Sequence, residues 1–239
     1  MNRHAGTILW LTVAGCAWHP KLIPGGAPEK RVAIADTSGG RCFDVSVYPS
    51  GDDHDTLVSA LQEACTSLRD PQLIAYVASL SDLEASGHES ITGRELIDQG
   101  YLAPERLGIG YSYPAFHLLV DDVGNAEGTT DLCTARDPHT HAIGVQPSRL
   151  AGARDEAGSA LLINTIAHET MHLDMVRGGP CLSKFTDTGD GGNECKRHRV
   201  SYLIGNAAAC SYLLRHGSQE TFSSCVEKQA DITPGRCGC

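Results

Sequence analysis

Aromatic residues are scarce in this chain, at 5% of its 239 positions, while glycine supplies 26. That balance argues against a large aromatic core and predicts long loops around a modest one. Basic residues are few as well: 19 Lys and Arg against 29 Asp and Glu leave a formal net charge of −10. No run of Lys or Arg rises above scatter, so the chain has no footprint for binding nucleic acid through its phosphates. No two cysteines stand at CxxC spacing, which removes the zinc ribbon and the thioredoxin-like motif. There is no GxSxG elbow, P-loop or dinucleotide fingerprint. The apolar stretch from Ala5 to Ala14 is too short to span a bilayer.

Cysteine, by contrast, is plentiful, at ten residues. Cys42, Cys65, Cys133, Cys181, Cys195, Cys210, Cys225, Cys237 and Cys239 are spread along the chain like a disulfide framework, which implies an oxidising compartment. The tenth, Cys16, closes a different pattern. Residues 1–15 read as an export signal, with Arg3 as its positive start and a short apolar region behind it. Val13-Ala14-Gly15-Cys16 resembles the lipobox of bacterial lipoproteins. That resemblance implies cleavage before Cys16 and lipid attachment to its sulfur. Residues 16–30, with Pro20, Pro24, Gly25, Gly26 and Pro28, then form a flexible tether. Such a protein sits beside a membrane through its lipid, with no spanning helix. Nine cysteines remain, an odd number, so four disulfides and one free or intermolecular thiol are expected.

The body of the chain runs over residues 31–239. Val32 to Ala35 and Cys42 to Tyr48 flank Ser38-Gly39-Gly40 and predict a hairpin. Asp52, Asp53 and Asp55 offer N-caps to a helix carrying Leu57, Val58, Leu61, Cys65 and Leu68. Pro71 to Leu80 and Glu89 to Gln99 are two shorter helical candidates, and Phe116 to Val120 is a strand. Ala142 to Gln146 is a short strand stopped by Pro147, with Gly152 to Gly158 as a connecting loop. His54 and His88 read as solvated loop residues, and His117 as a polar edge residue of its strand. In Asp137-Pro138-His139-Thr140-His141, Pro138 favours a loop, and the Asp-His partners of an HxHxDH hydrolase are absent, so no metal is assigned there.

One stretch names a chemistry. Leu161 to Arg177, LLINTIAHETMHLDMVR, is apolar almost all round, as a helix through a core would be, and Gly178, Gly179 and Pro180 stop it. His168 and His172 stand four apart, so both imidazoles leave one face of that helix. Two such nitrogens can close on one Zn²⁺, and Glu169 can reach water at that metal without entering its coordination shell. Two histidines and a glutamate are costly to bury without a partner, and a metal accounts for all three.

Here the sequence resembles the zincin metallopeptidases. Thr165, Ile166, Ala167, Thr170, Met171 and Leu173 fit their extended HExxH pattern, while Asp174 departs from it, since a hydrophobic residue is expected there. The resemblance covers about 20 residues and implies a superfamily and a reaction type. It implies an α+β domain with a small mixed sheet and a central HExxH helix, which the cysteines would stabilise. It also implies a zinc ion that polarises a scissile carbonyl and acidifies water, with Glu169 moving the proton. The strand ahead of the metal helix, Ala142 to Gln146, would line the cleft and take a peptide as an added strand.

A third protein ligand is expected. Glu194, 22 residues past His172, follows Asn193 and opens a predicted helix from Cys195 to Leu214, which resembles the gluzincin pattern. Asp187 and Asp190, in a glycine-rich loop, are the alternatives and would resemble the aspzincins, although the GTxxD string of that group is missing. His198 is a fourth option. The helix after them carries Val200, Leu203, Ile204, Ala207, Ala208 and Ser211 on its packing face, small enough to approach the metal helix closely. Tyr202 or Tyr212 could donate a proton to an oxyanion. The expectation is a zinc-dependent, exported, lipid-anchored peptidase acting on a peptide or protein. Its rivals are a non-catalytic binding lipoprotein of the same fold and a zinc hydrolase of a non-protein amide such as a cell-wall crosslink.

Overall fold

The computed structural model describes residues 30–49, 51–85, 89–102, 115–122, 128–131, 141–173, 183–187 and 199–232. Apart from Lys30, which begins a strand, the stretches expected as export signal (1–15) and tether (16–30), Cys16 included, therefore lie outside the described residues. So do Cys133, Cys181, Cys195, Cys237 and Cys239, together with His88 and His139.

The described chain is a mixed α+β structure. Strands β1 (Lys30–Ala35) and β2 (Arg41–Val47) form the expected hairpin, antiparallel with Lys30 opposite Val47. Its turn is organised by Asp36, whose Oδ1 accepts from the backbone of Ser38 and Gly40 at 2.8 Å each. Arg69 adds a charged bond at 2.6 Å to the other oxygen. Burial pushes the Asp36 carboxyl up, but the hydrogen bonds from Ser38, Arg69 and Gly40 outweigh it and bring it down to about 2. Gly39 supplies the turn's positive φ of 87°.

Helix α1 (Asp52–Leu68) buries Leu57, Leu61, Cys65 and Leu68 as the spacing predicts. Its cap differs: Gly51 is the N-cap and makes no side-chain bond, while Asp52, Asp53 and Asp55 fill the first turn and act on the helix dipole. His54 accordingly sits in a helical turn beside Asp55, not in a loop. Helix α2 (Pro71–Ala78) is capped by Asp70. The segment read as one helix from Glu89 is divided. Strand β4 (Ser90–Ile91) pairs with β3 (Leu83–Glu84), and Thr92 then opens α3 (Gly93–Asp98) with a capping box to Glu95.

Strand β5 (Ala115–Val120) lies parallel to β2 on one side and to β7 (His141–Val145) on the other. Strand β6 (Gly128–Asp131) runs antiparallel to β7, giving the order β1-β2-β5-β7-β6. This corrects one expectation. The strand ahead of the metal helix is interior, with all five residues buried, so it offers no open edge. On that side the edge belongs to β6, a polar four-residue segment whose sequence carries no strand period. Pro147, read as a strand stop, also starts α4 (Pro147–Gly152).

Helix α5 (Glu156–Met171) begins five residues before Leu161, because Asp155 accepts from the Gly158 backbone at 2.7 Å and caps it. Helix α6 (Val200–Arg215) packs along α5, and α7 (Phe222–Ile232) returns along α6. Helices α1 and α5 cover one face of the sheet, so α5 is enclosed by β6 and β7, α1 and α6. That position explains an apolar sequence on every side: Leu162, Ile163, Ile166, Ala167 and Met171 are all buried, each larger side chain contributing about 1.5–3 kcal/mol. Cys42–Cys65 ties β2 to α1, and Cys210–Cys225 ties α6 to α7. Among the described residues no helix is long and apolar enough to cross a membrane.

Candidate metal centre

His168 lies in the last turn of α5 and His172 caps it, so the i,i+4 spacing places both rings on one side of the helix. Their Nε2 atoms are 3.2 Å apart. Asp187 completes a triangle: its Oδ2 is 2.9 Å from Nε2 of His168 and 3.2 Å from Nε2 of His172. These are the three residues that could hold a metal ion among the described residues. A tetrahedron with ligand bonds of about 2.0–2.1 Å has edges of about 3.3 Å, which two of the separations match at 3.2 Å and the third undercuts at 2.9 Å, so the donor set could hold a small tetrahedral cation.

The hydrogen bonds around the triangle also fit a cation. Nδ1 of His172 donates to the carbonyl oxygen of Phe185. In its neutral form the ring therefore carries its proton there and turns the Nε2 lone pair to the triangle. A lone pair facing a carboxylate oxygen is repulsive unless a metal or a second proton intervenes. Without metal the imidazole takes the proton. Burial is the largest single influence and pushes its pKa down, but the Asp187 carboxylate, Glu169 and the Phe185 carbonyl together outweigh it and lift the pKa to about 9. Asp187 responds in the opposite sense. Burial raises it, and the His168 and His172 rings more than reverse this, holding it well below the ordinary carboxylate range.

Asp187 reaches the helix because several distant residues hold its segment. The Ser201 hydroxyl donates to Oδ1 at 2.7 Å, leaving Oδ2 to face the imidazoles. Arg199, 1% exposed, donates to the Thr186 carbonyl at 3.3 Å and to Glu84 at 3.2 Å. The Thr186 backbone in turn donates to Ala85 at 3.2 Å. The third donor thus hangs between β3 and the start of α6.

Glu169 is 5% exposed, and its Oε1 lies 3.9 Å from Nε2 of His168. Its other oxygen, Oε2, meets the Thr130 hydroxyl on β6 at 2.7 Å. On the far side, α6 presses on the ligand helix. The Tyr202 ring meets the His168 ring edge to face, with centroids 4.5 Å apart. A Cβ on Gly205 would stand 2.7 Å from Asn164 Oδ1 and 3.1 Å from His168 Cβ, so only glycine allows this approach. Beside it, Asn164 donates to Asn206 across the interface at 2.8 Å. The close approach anticipated from small residues on α6 is present, with Ala207 and Ala208 fully buried.

The structure therefore brings together His168, Glu169, His172 and Asp187 from the sequence-derived candidates. Glu194, Asp190 and His198 lie outside the described residues. The helix on which Glu194 was to enter does not run back continuously to Cys195, because Arg199 is extended (φ −76°, ψ 132°) and α6 begins at Val200. His117 and His141 stand on β5 and β7, and the Nδ1 of His117 bonds the Tyr48 hydroxyl at 2.8 Å. Tyr212 packs on His216 at the other end of α6 and takes no part in the centre. Thr130, Ser201, Arg199 and Gly205 were not singled out from sequence. A threonine in Gly-Thr-Thr-Asp or a serine on a helix face carries no signal until its partner is known.

No protein-family model, curated protein or solved structure matches this chain.

Proposed function

We propose that the chain is a zinc-dependent peptidase of the zincin kind, exported and anchored to a membrane through lipid on Cys16. The observation that carries this reading is the convergence of His168, His172 and Asp187 within 3.2 Å of one another, with a buried glutamate next in sequence to the first histidine. With Asp187 as the third donor, the ligand set resembles that of the aspzincins more than that of the gluzincins, and Glu194 is displaced as the first choice. When bound, zinc supplies a Lewis acid that polarises the scissile carbonyl and lowers the pKa of water.

The chain's own residues do the rest. Phe185 holds the His172 tautomer through Nδ1, and Ser201 presents one oxygen of Asp187 to the imidazoles. Glu169 takes a proton from the attacking water and delivers it to the leaving amine. Burial of Glu169 beside the ligands makes that base act in a water-poor environment, where its charge has most effect. The disulfides Cys42–Cys65 and Cys210–Cys225 are consistent with an oxidising compartment.

The test is metal analysis of the purified chain together with a peptide-library digest, repeated with chelator and with Glu169→Gln. The reading predicts one zinc per chain and cleavage that both controls abolish. A protein that neither carries nor takes up zinc sinks it. Zinc binding without peptide cleavage would turn the search to cell-wall amides under the same controls.

A further inference from the structure

The carboxylate of Glu169 has two oxygens, and the structure treats them differently. Strand β6 lies against α5 at this point, and alternation along the strand turns Gly128 and Thr130 to the same side. Gly128 leaves the room: a Cβ there would stand 2.7 Å from Thr165 Cγ2, 2.9 Å from Glu169 Oε1 and 3.0 Å from Glu169 Cγ. Thr130 supplies the contact. Its hydroxyl lies 2.7 Å from Oε2 of Glu169 and 2.9 Å from the Glu169 backbone carbonyl. One hydroxyl has one proton to give. The backbone carbonyl already accepts from the His172 amide at 3.1 Å, and the carboxylate is both nearer and charged, so the proton belongs on Oε2.

We propose that Thr130 is a positioning residue that clamps Oε2 of Glu169, leaving Oε1 as the oxygen turned toward the ligand triangle and the one that moves the proton. The inference rests on the reading of Glu169 as the base. It makes β6 more than a sheet edge: the strand packed against α5 also sets the angle of the catalytic carboxylate. Both features come from a short polar segment, Gly128–Asp131, that is fixed to β7 by backbone pairing from Gly128 opposite Val145 to Asp131 opposite Ala142.

The experiment compares Thr130→Val, which keeps the branched shape and removes the hydroxyl, with Thr130→Ser, which keeps the hydroxyl. Four quantities are read on the purified chain: zinc content, kcat and KM on a cleaved peptide, and the infrared carboxylate stretch of Glu169. The stretch is recorded on zinc-free protein carrying isotope-labelled glutamate and is assigned by difference against Glu169→Gln. The expected result for Thr130→Val is full zinc content, an unchanged KM, a kcat lower by about 10–100-fold and a displaced carboxylate band. Thr130→Ser is expected to restore the band and to recover kcat to within a few-fold. An unmoved band in Thr130→Val overturns the proposal, as does a loss of zinc or a rise in KM that accounts for the whole defect. If the native chain cleaves no peptide, the functional reading fails on its own, and the infrared comparison still decides whether Thr130 holds Glu169.

Discussion

Titrating the stability of the metal-free chain against pH isolates the charge chemistry of His168, His172 and Asp187. In the metal-free protein His172 is raised from 6.5 to about 9, because Asp187, Glu169 and the Phe185 carbonyl together outweigh the large cost of burial. A raised pKa means that the folded state holds this proton more tightly than the unfolded chain does. The resulting stabilisation is complete below pH 6.5 and is lost as the pH climbs through about 9. Its size is about 3 kcal/mol at about 1.4 kcal/mol per tenfold change in proton affinity. The depressed Asp187 is the other side of the same interaction, so it is counted once. Urea unfolding of the zinc-free protein at pH about 6 and about 9.5 should show the midpoint falling with little change in slope. Asp187→Asn removes the charge that holds the proton, so it should flatten most of that dependence. It also cancels the background of other groups titrating in the window. With zinc bound, His172 carries no Nε2 proton; the fall should vanish, and zinc uptake near neutral pH should release a proton to buffer. Equal pH dependence in the native chain and Asp187→Asn would refute the assignment of that proton to this pair.

Three further outcomes follow from the packing around the centre. Ser201→Ala frees the second oxygen of Asp187 and should weaken zinc binding about 10-fold or more, read by competition with a chromophoric chelator; unchanged affinity would show that Ser201 does not orient the ligand. Gly205→Ala places a methyl group 2.7 Å from Asn164 Oδ1 and 3.1 Å from His168 Cβ. It should cost about 1–3 kcal/mol in denaturant unfolding and lower zinc affinity as well, whereas a neutral substitution would mean that α5 and α6 separate freely. Replacing Cys210 and Cys225 together by serine opens a link with a sequence separation of 15. The expected loss is about 3 kcal/mol, seen as a lower thermal midpoint that reducing agent does not lower further through this pair.

What the sequence by itself determined is local. An i,i+4 pair on an apolar helix needs only the helix period to converge, so His168, His172 and the adjacent Glu169 were legible before any tertiary contact was known. The hairpin around Asp36–Gly40 and the helix beginning at Asp52 were legible for the same reason, because alternation and helical spacing act over a few residues. The ends of these elements were less so: a helix start depends on one capping bond, and Asp155 supplied it where a loop was expected.

Only the tertiary structure shows that Asp187 comes within hydrogen-bond distance of both histidines. Asp187 lies 15 positions from His172 in a segment without any period. Its placement depends on Arg199, Glu84, Ala85 and Ser201, residues from two separate parts of the chain. The same holds for Thr130, 39 positions from the carboxylate it meets, and for the exchange of edge strand from β7 to β6, which follows from the order in which strands pair. Repeating patterns record what one helix or strand does with its own faces. The meeting of two segments depends on the geometry of everything packed between them, which no short stretch of sequence carries.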